Sequence, residues 1–388
     1  MTAVHTSHTR NTHPPLDLLA DVTDHRDPRG TRHPLVALLA ACLTAALAGN
    51  TSYTAIAEWI GDEDNTTVAD LGIDPDRRPS EAAVRRVLSQ LDADLFDRVL
   101  GAWMFTRTGS VDGRSLIAVD GKTIRGARDH GHPDSRAPHE VAAFDTGSGT
   151  IVGQVEVDAK TNEIPAACDL LNLFDLHNMV VSLDALHTQD KTAKFIVNAG
   201  GDYVMTIKKN RRALYDRAAA LPWDSNRTHT EQSSGHGRRE TRSAQVFVVG
   251  AEFGFPHAAQ VVRVTRHRTD YSRARVKGRN KRGKKTRETV YVVCSLGHVD
   301  APVATLAGWV RAHWGIENRL HWVRDVVFGE DACLIRAGAG PRVMATLRST
   351  AISVLRLAGW CKIESGTRYY RAVFSRPSAL VTTIHHRL

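Results

Sequence analysis

The sequence has no CxxC pair, and its five cysteines (Cys42, Cys168, Cys294, Cys333 and Cys361) stand far apart. That scatter and the odd total argue against a disulfide framework or a zinc knuckle, and suit a reducing cytoplasm. An apolar run of the ~20 residues that a membrane helix needs is also missing. The nearest approach, Leu35–Ala48, has 14 residues. It begins too late, behind a polar tail containing His and Pro, to serve as a signal peptide. Pro34 at its first turn and Gly49 just past its end mark it as a buried helix. Acids are in deficit: 42 Asp and Glu face 51 Lys and Arg, a net charge of +9. A surplus of that sign calls for a polyanionic partner, and nucleic acid is the commonest one for a soluble chain.

What is present fits a multidomain globular chain. At ~100–200 residues per domain, a chain of this length suggests two or three domains. An apolar share of 42% is enough for a sizeable core. Residues 1–33 read as a disordered leader, whose irregularly spaced His5, His8, His13, His25 and His33 suit a solvated tail better than metal capture. Residues 34–108 read as a helical N-terminal domain with segments Leu35–Ala48, Thr51–Ile60 and Ser80–Leu91. Ser80 supplies the N-cap of the last. Arg85 and Arg86 on that helix suit either a DNA-facing surface or a solvated basic one.

From Val111 the hydrophobic period changes to that of strands. Ser115–Asp120, Glu140–Phe144 and Ile151–Val157 are strand-like, the last two joined by the Gly-rich turn Asp145–Thr150. A helix over Glu163–Leu173, a buried strand Met179–Asp184, a helix Thr188–Ala199 and a strand Tyr203–Ile207 follow. The expected class is therefore α/β: an RNase H-like mixed sheet flanked by helices, built from 111–207 and 301–375. Asp120 and Asp184 both fall at expected strand ends. Residues 208–300 break the alternation and read as a β-rich basic insertion, with strands near Ala244–Val249, Gln260–Val264 and Thr289–Leu296. Within it, Ser272–Arg287 has nine Lys or Arg in sixteen residues and no acid. Such a run suits an arm gripping phosphates, and Lys281, Arg282, Lys284 and Lys285 are its DNA-binding candidates.

A helix is expected from Thr305 to about Val327. At ~100° per residue, Trp309, Ile316, Leu320, Val323 and Val327 share one apolar stripe. Beside it lie His313, Glu317, His321 and Arg324, a carboxylate among two imidazoles and a guanidinium. Asp120, Asp184 and Glu317 together suit phosphodiester chemistry. Two divalent ions can stabilise both the entering and the leaving oxygen of an in-line displacement. Mg²⁺ (or Mn²⁺) is hard, prefers carboxylate oxygens and keeps several waters, so a few acids from separate elements suffice. In this scheme Asp120 bridges both ions, Asp184 and Glu317 each complete one shell, and Cys and His are not ligands.

Several stretches carry a family resemblance. They are Ile117-Ala-Val-Asp-Gly-Lys-Thr-Ile-Arg-Gly126, Gly153-Gln-Val-Glu-Val-Asp-Ala-Lys-Thr-Asn-Glu-Ile164 and Val181-Ser-Leu-Asp-Ala-Leu-His-Thr-Gln189. Gly200-Gly-Asp-Tyr-Val204, His236-Gly-Arg-Arg-Glu-Thr-Arg242 and Ala312-His-Trp-Gly-Ile-Glu-Asn-Arg-Leu-His-Trp-Val-Arg-Asp325 continue it, the last extended by Phe328-Gly-Glu-Asp331. Over roughly residues 16–375, in the same order, the chain resembles the H-repeat-associated family of insertion-sequence DDE transposases.

That resemblance implies an RNase H-like catalytic domain, a helical N-terminal domain and DDE chemistry on Asp120, Asp184 and Glu317. It implies metal-dependent cleavage at the ends of a mobile element, strand transfer to target DNA, and action as a homodimer on double-stranded DNA in the cytoplasm, associated with the nucleoid. In the wider group of related transposases the Glu helix carries a Tyr, Arg, Glu and Lys signature; here those positions are Val310, His313, Glu317 and Arg324. Lys122, Arg125, Asn318, His321 and Arg324 are the candidates for DNA contacts near the scissile bond. Two other functions are compatible with the residues: an RNase H-like nuclease without strand transfer, and a domesticated or inactive DNA-binding derivative.

Overall fold

The computed structural model describes residues 18–108, 113–129, 131, 135–223, 228–235, 237–271, 283–372, 377–379 and 381. In chain order the described residues form helices α1 (Leu35–Leu47), α2 (Tyr53–Asp62), α3 (Asn65–Asp70), α4 (Glu81–Gln90) and α5 (Ala93–Phe105). Strands β1 (Ser115–Thr123), β2 (His139–Asp145) and β3 (Thr150–Glu156) come next. An alternating stretch follows: α6 (Glu163–Leu171), β4 (Met179–Leu183), α7 (Asp190–Asn198) and β5 (Asp202–Ile207). Then come α8 (Arg212–Ala219), β6 (Thr228–Gly235), β7 (Arg238–Val248), β8 (Gln260–Asp270) and β9 (Lys284–Cys294). The C-terminal part is helical: α9 (Val303–His313), a π-helical turn Glu317–His321, α10 (Trp322–Val326), α11 (Gly340–Leu357) and α12 (Ile363–Arg371).

The chain divides into two compact units. The first holds the described residues within 1–109, 121–162 and 317–388; the second holds those within 110–120 and 163–316. This grouping cuts across the segments 34–108, 111–207 with 301–375, and 208–300 expected from sequence. Strand β1 belongs to both, passing from the second unit into the first after Asp120.

In the first unit the strand order is β3-β2-β1, with β2 and β3 antiparallel. Helices α5 and α11 pack on β3, and α1 packs on α11. Helix α1 is buried at every residue but Val36, so the apolar run read from sequence is a core helix. It opens after Pro34, and Gly49 follows its C-cap with φ +86°, a conformation that suits glycine. Ser52, Asp64, Ser80 and Asp92 each cap the helix that follows, accepting a backbone N–H three residues on. Residues 34–108 are thus helical as expected, with α3 and α5 added to the three segments named.

In the second unit the order is β1-β4-β5-β9-β8-β7-β6. Strand β4 lies parallel to both β1 and β5, and every later pairing is antiparallel. Leu116, Val180, Val204, Val262, Val292 and Leu306 share its core, and α9 packs on the sheet. Helices are inserted between β3 and β4 and between β4 and β5. The class is mixed α/β, RNase H-like.

Three expectations are corrected. β1 does not end at Asp120 but runs on to Thr123, because β2 still pairs with it after β4 has ended. β6 was not foreseen: Thr-His-Thr-Glu-Gln-Ser-Ser-Gly has no apolar alternation and is largely exposed, held as an edge by backbone pairing to β7. The single helix expected over 305–327 is interrupted. Trp314 closes α9, and a π-helical turn opens the next helical stretch. A π turn adds a residue to the repeat, so a 100° wheel drawn across it loses register. Ile316, Leu320 and Val323 are buried as the stripe required, whereas Trp309 and Val327 are only half-buried.

Gly126 explains the second glycine of the Asp-Gly-Lys motif region. A Cβ there would stand 2.4 Å from the Cys333 carbonyl oxygen and 2.8 Å from that of Glu330. Both obstacles are backbone and cannot swing aside. Gly126→Ala is therefore expected to cost about 1–3 kcal/mol. Thermal unfolding of the variant measures this, and an unchanged midpoint would contradict the close approach.

Candidate active site

In the second unit, parallel pairing sets Val119 opposite Leu183. The residue after each is an acid: Asp120, still on β1, and Asp184, the first residue past β4. Neighbouring strands lie about 4.8 Å apart, and both side chains are half-buried. Asp184 also shapes its own loop. Its Oδ1 accepts the backbone N–H of Leu186 (2.8 Å) and of His187 (3.4 Å). The Thr188 hydroxyl donates to the Asp184 carbonyl (3.1 Å) and to the Thr206 carbonyl of β5 (2.6 Å). His187, fully buried, lies 3.3 Å from a Glu163 oxygen. The Asp-Ala-Leu-His-Thr motif is thus a folded turn that aims one acid.

Asp184 also lines a cleft of about 140 Å³ in the same unit. Its wall includes Val204, Val264 and Val292, with Arg242, Arg266 and Trp314 among the larger side chains. Both guanidinium groups lie over the Trp314 ring, at 5.8 and 5.5 Å. His313 faces the same cleft and is nine-tenths buried. Burial pushes its imidazole down to about 4, against the opposing pull of Asp184 and of a hydrogen bond to the Ser182 backbone. At neutral pH it is an uncharged ring.

In the first unit, Glu317 opens the π-helical turn with its side chain two-thirds exposed. His321, one turn on, is buried and brings Nδ1 to 3.2 Å of the carboxylate. That hydrogen bond is the largest influence holding Glu317 below the usual carboxylate range; Lys122 and Arg125 add to it against partial burial. The turn therefore presents an ionised, solvent-facing carboxylate. Sequence reasoning set His321 on the same flank as Glu317 and offered it for DNA contacts; the structure shows the two side chains hydrogen-bonded at i,i+4 spacing.

The other candidates divide by exposure. Lys122 is almost wholly buried, with Nζ 2.6 Å from Asp325 and 3.9 Å from Glu330. Arg324 is fully buried: Nε donates to both Glu330 oxygens (3.0 and 2.9 Å) and Nη2 to Glu140 (3.1 Å). Burial opposes its charge, yet the two carboxylates hold it protonated beyond its ordinary range. These two cations are spent inside the protein. Arg125 is largely exposed, 3.5 Å from Asp331, and Asn318 is exposed. Lys284 and Lys285 are exposed at the start of β9, opposite Asp270 and Thr269. Lys281 and Arg282 lie outside the described residues, as does most of the basic run. Glu140, Glu330 and Arg348, around which the buried cations gather, were missed by sequence reasoning; the only signal was the Phe-Gly-Glu-Asp run. No helix among the described residues is long and apolar enough to cross a membrane.

Comparison with known proteins gives a consistent result. Residues 112–354 match the family described as Transposase DDE domain, and residues 16–104 match the one described as DDE_Tnp_1-associated. YncI of Escherichia coli O157:H7, named as a candidate transposase, is 32% identical over 358 residues, covering 88% of this chain and 87% of its own. YhhI of Escherichia coli K12, named as an H repeat-associated candidate transposase, is 28% identical over 355 residues, covering 88% and 89%. A piggyBac transposase solved in a synaptic complex with hairpin DNA aligns with 96% of this chain and 81% of its own. At 11% identity and a TM-score of 0.42, that likeness is too slight to argue from.

His313 yields a pH prediction. A histidine whose folded pKa lies below its unfolded value contributes stability that is complete above about 6.5 and is lost as pH falls towards 4. Between about pH 7 and pH 4 the protein should lose up to about 3 kcal/mol that His313→Gln does not lose. Urea unfolding of both at the two pH values tests this; equal losses would mean the ring titrates normally.

Proposed function

Because the chain belongs to the Transposase DDE domain family, we propose that it cuts double-stranded DNA at the ends of a mobile element and joins the freed ends to target DNA. Asp120, Asp184 and Glu317 would hold two divalent ions, Mg²⁺ or Mn²⁺. The observation that supports this reading is the register of β1 on β4, which sets Val119, the residue before Asp120, across from Leu183, the residue before Asp184. Glu317 is connected to the same strand through the first unit. Lys122, two residues beyond Asp120 and so on the same face of β1, pairs with Asp325 on the helix that follows Glu317. The donor chemistry suits the ions: exposed or half-buried carboxylate oxygens are what a hard, hydrated cation prefers.

When bound, the ions supply charge neutralisation at the entering and leaving oxygens and ease deprotonation of the attacking hydroxyl. The chain's own residues do the rest. His321 orients Glu317 and favours its charged form. The Leu186 and His187 amides fix the rotamer of Asp184. Arg125 and Asn318, both exposed, would meet phosphates. Lys284 and Lys285 would grip the backbone farther off, where contacts are insensitive to sequence. Lys122 and Arg324, being buried, hold the framework instead of DNA. In the first reaction water attacks phosphorus and the 3′-oxygen leaves as a hydroxyl; in the second that hydroxyl attacks a target phosphodiester and displaces its 3′-oxygen. A homodimer bridging two ends would allow both ends to be joined together.

Asp120→Ala and Glu317→Ala should each abolish Mg²⁺-dependent nicking of DNA carrying the element's ends, while DNA binding in EDTA stays within about twofold of wild type. Cleavage retained in either variant refutes the triad; cleavage by wild type without joined products reduces the activity to hydrolysis. Replacing both Lys284 and Lys285 by Ala should flatten the slope of log affinity against log salt by about 2, since each phosphate contact contributes about 0.9. An unchanged slope removes β9 from the DNA surface.

A further inference from the structure

Glu330 is fully buried in the first unit and is touched by three cations from three elements. Arg324 of α10 donates Nε to both of its oxygens. Arg348 of α11 donates at 3.3 Å, and Lys122 of β1 stands 3.9 Å away. Glu140 of β2 shares Arg324, and Asp325 shares Lys122, so three cations face three carboxylates. Burial favours the acid form of Glu330, but Arg324 and Arg348 hold it ionised below its usual range.

Such a cluster is a poor way merely to fill space. A buried ion pair seldom stabilises more than apolar side chains of the same volume. Charge-assisted hydrogen bonds, however, fix direction and length, which sliding apolar contacts do not. The two elements tied here are the ones that matter for metal: β1 two residues beyond Asp120, and the helix seven residues, about two turns, beyond Glu317.

We propose that Glu330 is a positioning residue: by holding Lys122 and Arg324 on one buried carboxylate, it fixes the spacing between the Lys122 end of β1 and the Glu317 turn. This rests on the metal reading above. If Glu317 holds an ion, its grip depends on where that turn is held, and residues that orient ligands commonly contribute ten- to a hundredfold in metal affinity.

The test is Mn²⁺ binding to the full chain without DNA, followed by electron paramagnetic resonance, in wild type, Glu330→Gln, Glu330→Asp and Lys122→Met. Glu330→Gln and Lys122→Met should each weaken Mn²⁺ binding about tenfold or more, while binding to end DNA in EDTA stays within about twofold. Glu330→Asp should also weaken it, because the charge remains but the carboxylate is one methylene short. Full affinity in Glu330→Asp would make charge balance sufficient and overturn the positioning role. Wild-type Mn²⁺ affinity in folded Glu330→Gln, or loss of DNA binding in parallel with metal, overturns it as well. If Glu330→Gln fails to unfold as one cooperative transition, Lys122→Met decides by the same readout. Glu317→Ala separates the two readings: if wild type binds Mn²⁺ and Glu317→Ala does not, the metal site stands whatever Glu330 does. If Glu317→Ala binds as wild type does, both fall together.

Discussion

Parallel pairing of β1 with β4 decides what this protein can do with its acids. Strand ladders repeat residue by residue, so the pairing from Ser115 with Met179 to Val119 with Leu183 brings both strands to an acid as the next residue. Both strands are enclosed on both faces: residues 116–119 and 179–183 are buried throughout, so a slip would repack the core on either side. Apolar packing thus sets the level at which Asp120 and Asp184 follow their strand residues.

A second device works inside the first unit, where charge itself is buried. Arg324, Arg348 and Lys122 crowd around Glu330, Glu140 and Asp325, and few of these side chains reach solvent. Breaking one partner there leaves an uncompensated buried charge, which is far costlier than losing a surface pair. The exposed carboxylate of Glu317 differs in kind. Among the described residues it is hydrogen-bonded to His321, and its side chain is two-thirds exposed. Buried charges brace; exposed or half-buried ones are available for chemistry.

Much of this was legible in the chain. Capped helices before residue 108, the strand, helix and strand alternation after 111, and acids after apolar runs are local signals, and local signals survive folding. The π-helical turn was hidden because a helical wheel assumes one constant angle, and Glu317–His321 departs from it. β6 was hidden because an exposed edge strand needs no apolar alternation. Lys122 and Arg324 read as DNA contacts because a cation near an acid motif looks the same in sequence whether it faces phosphate or a buried carboxylate. Glu330 was passed over for the same reason: nothing in Phe-Gly-Glu-Asp says how many cations will converge on it.

The sequence by itself determined the element types, the capping residues and the family to which the chain belongs, because these depend on short-range chemistry and on order along the chain. Tertiary structure alone decided which cations are exposed and which are enclosed, and that β1 runs on past Asp120. It also decided that Glu330 draws three elements to one point. Those outcomes rest on contacts between residues up to two hundred positions apart, such as Lys122 with Asp325. Their energies depend on burial and distance, which no local pattern records.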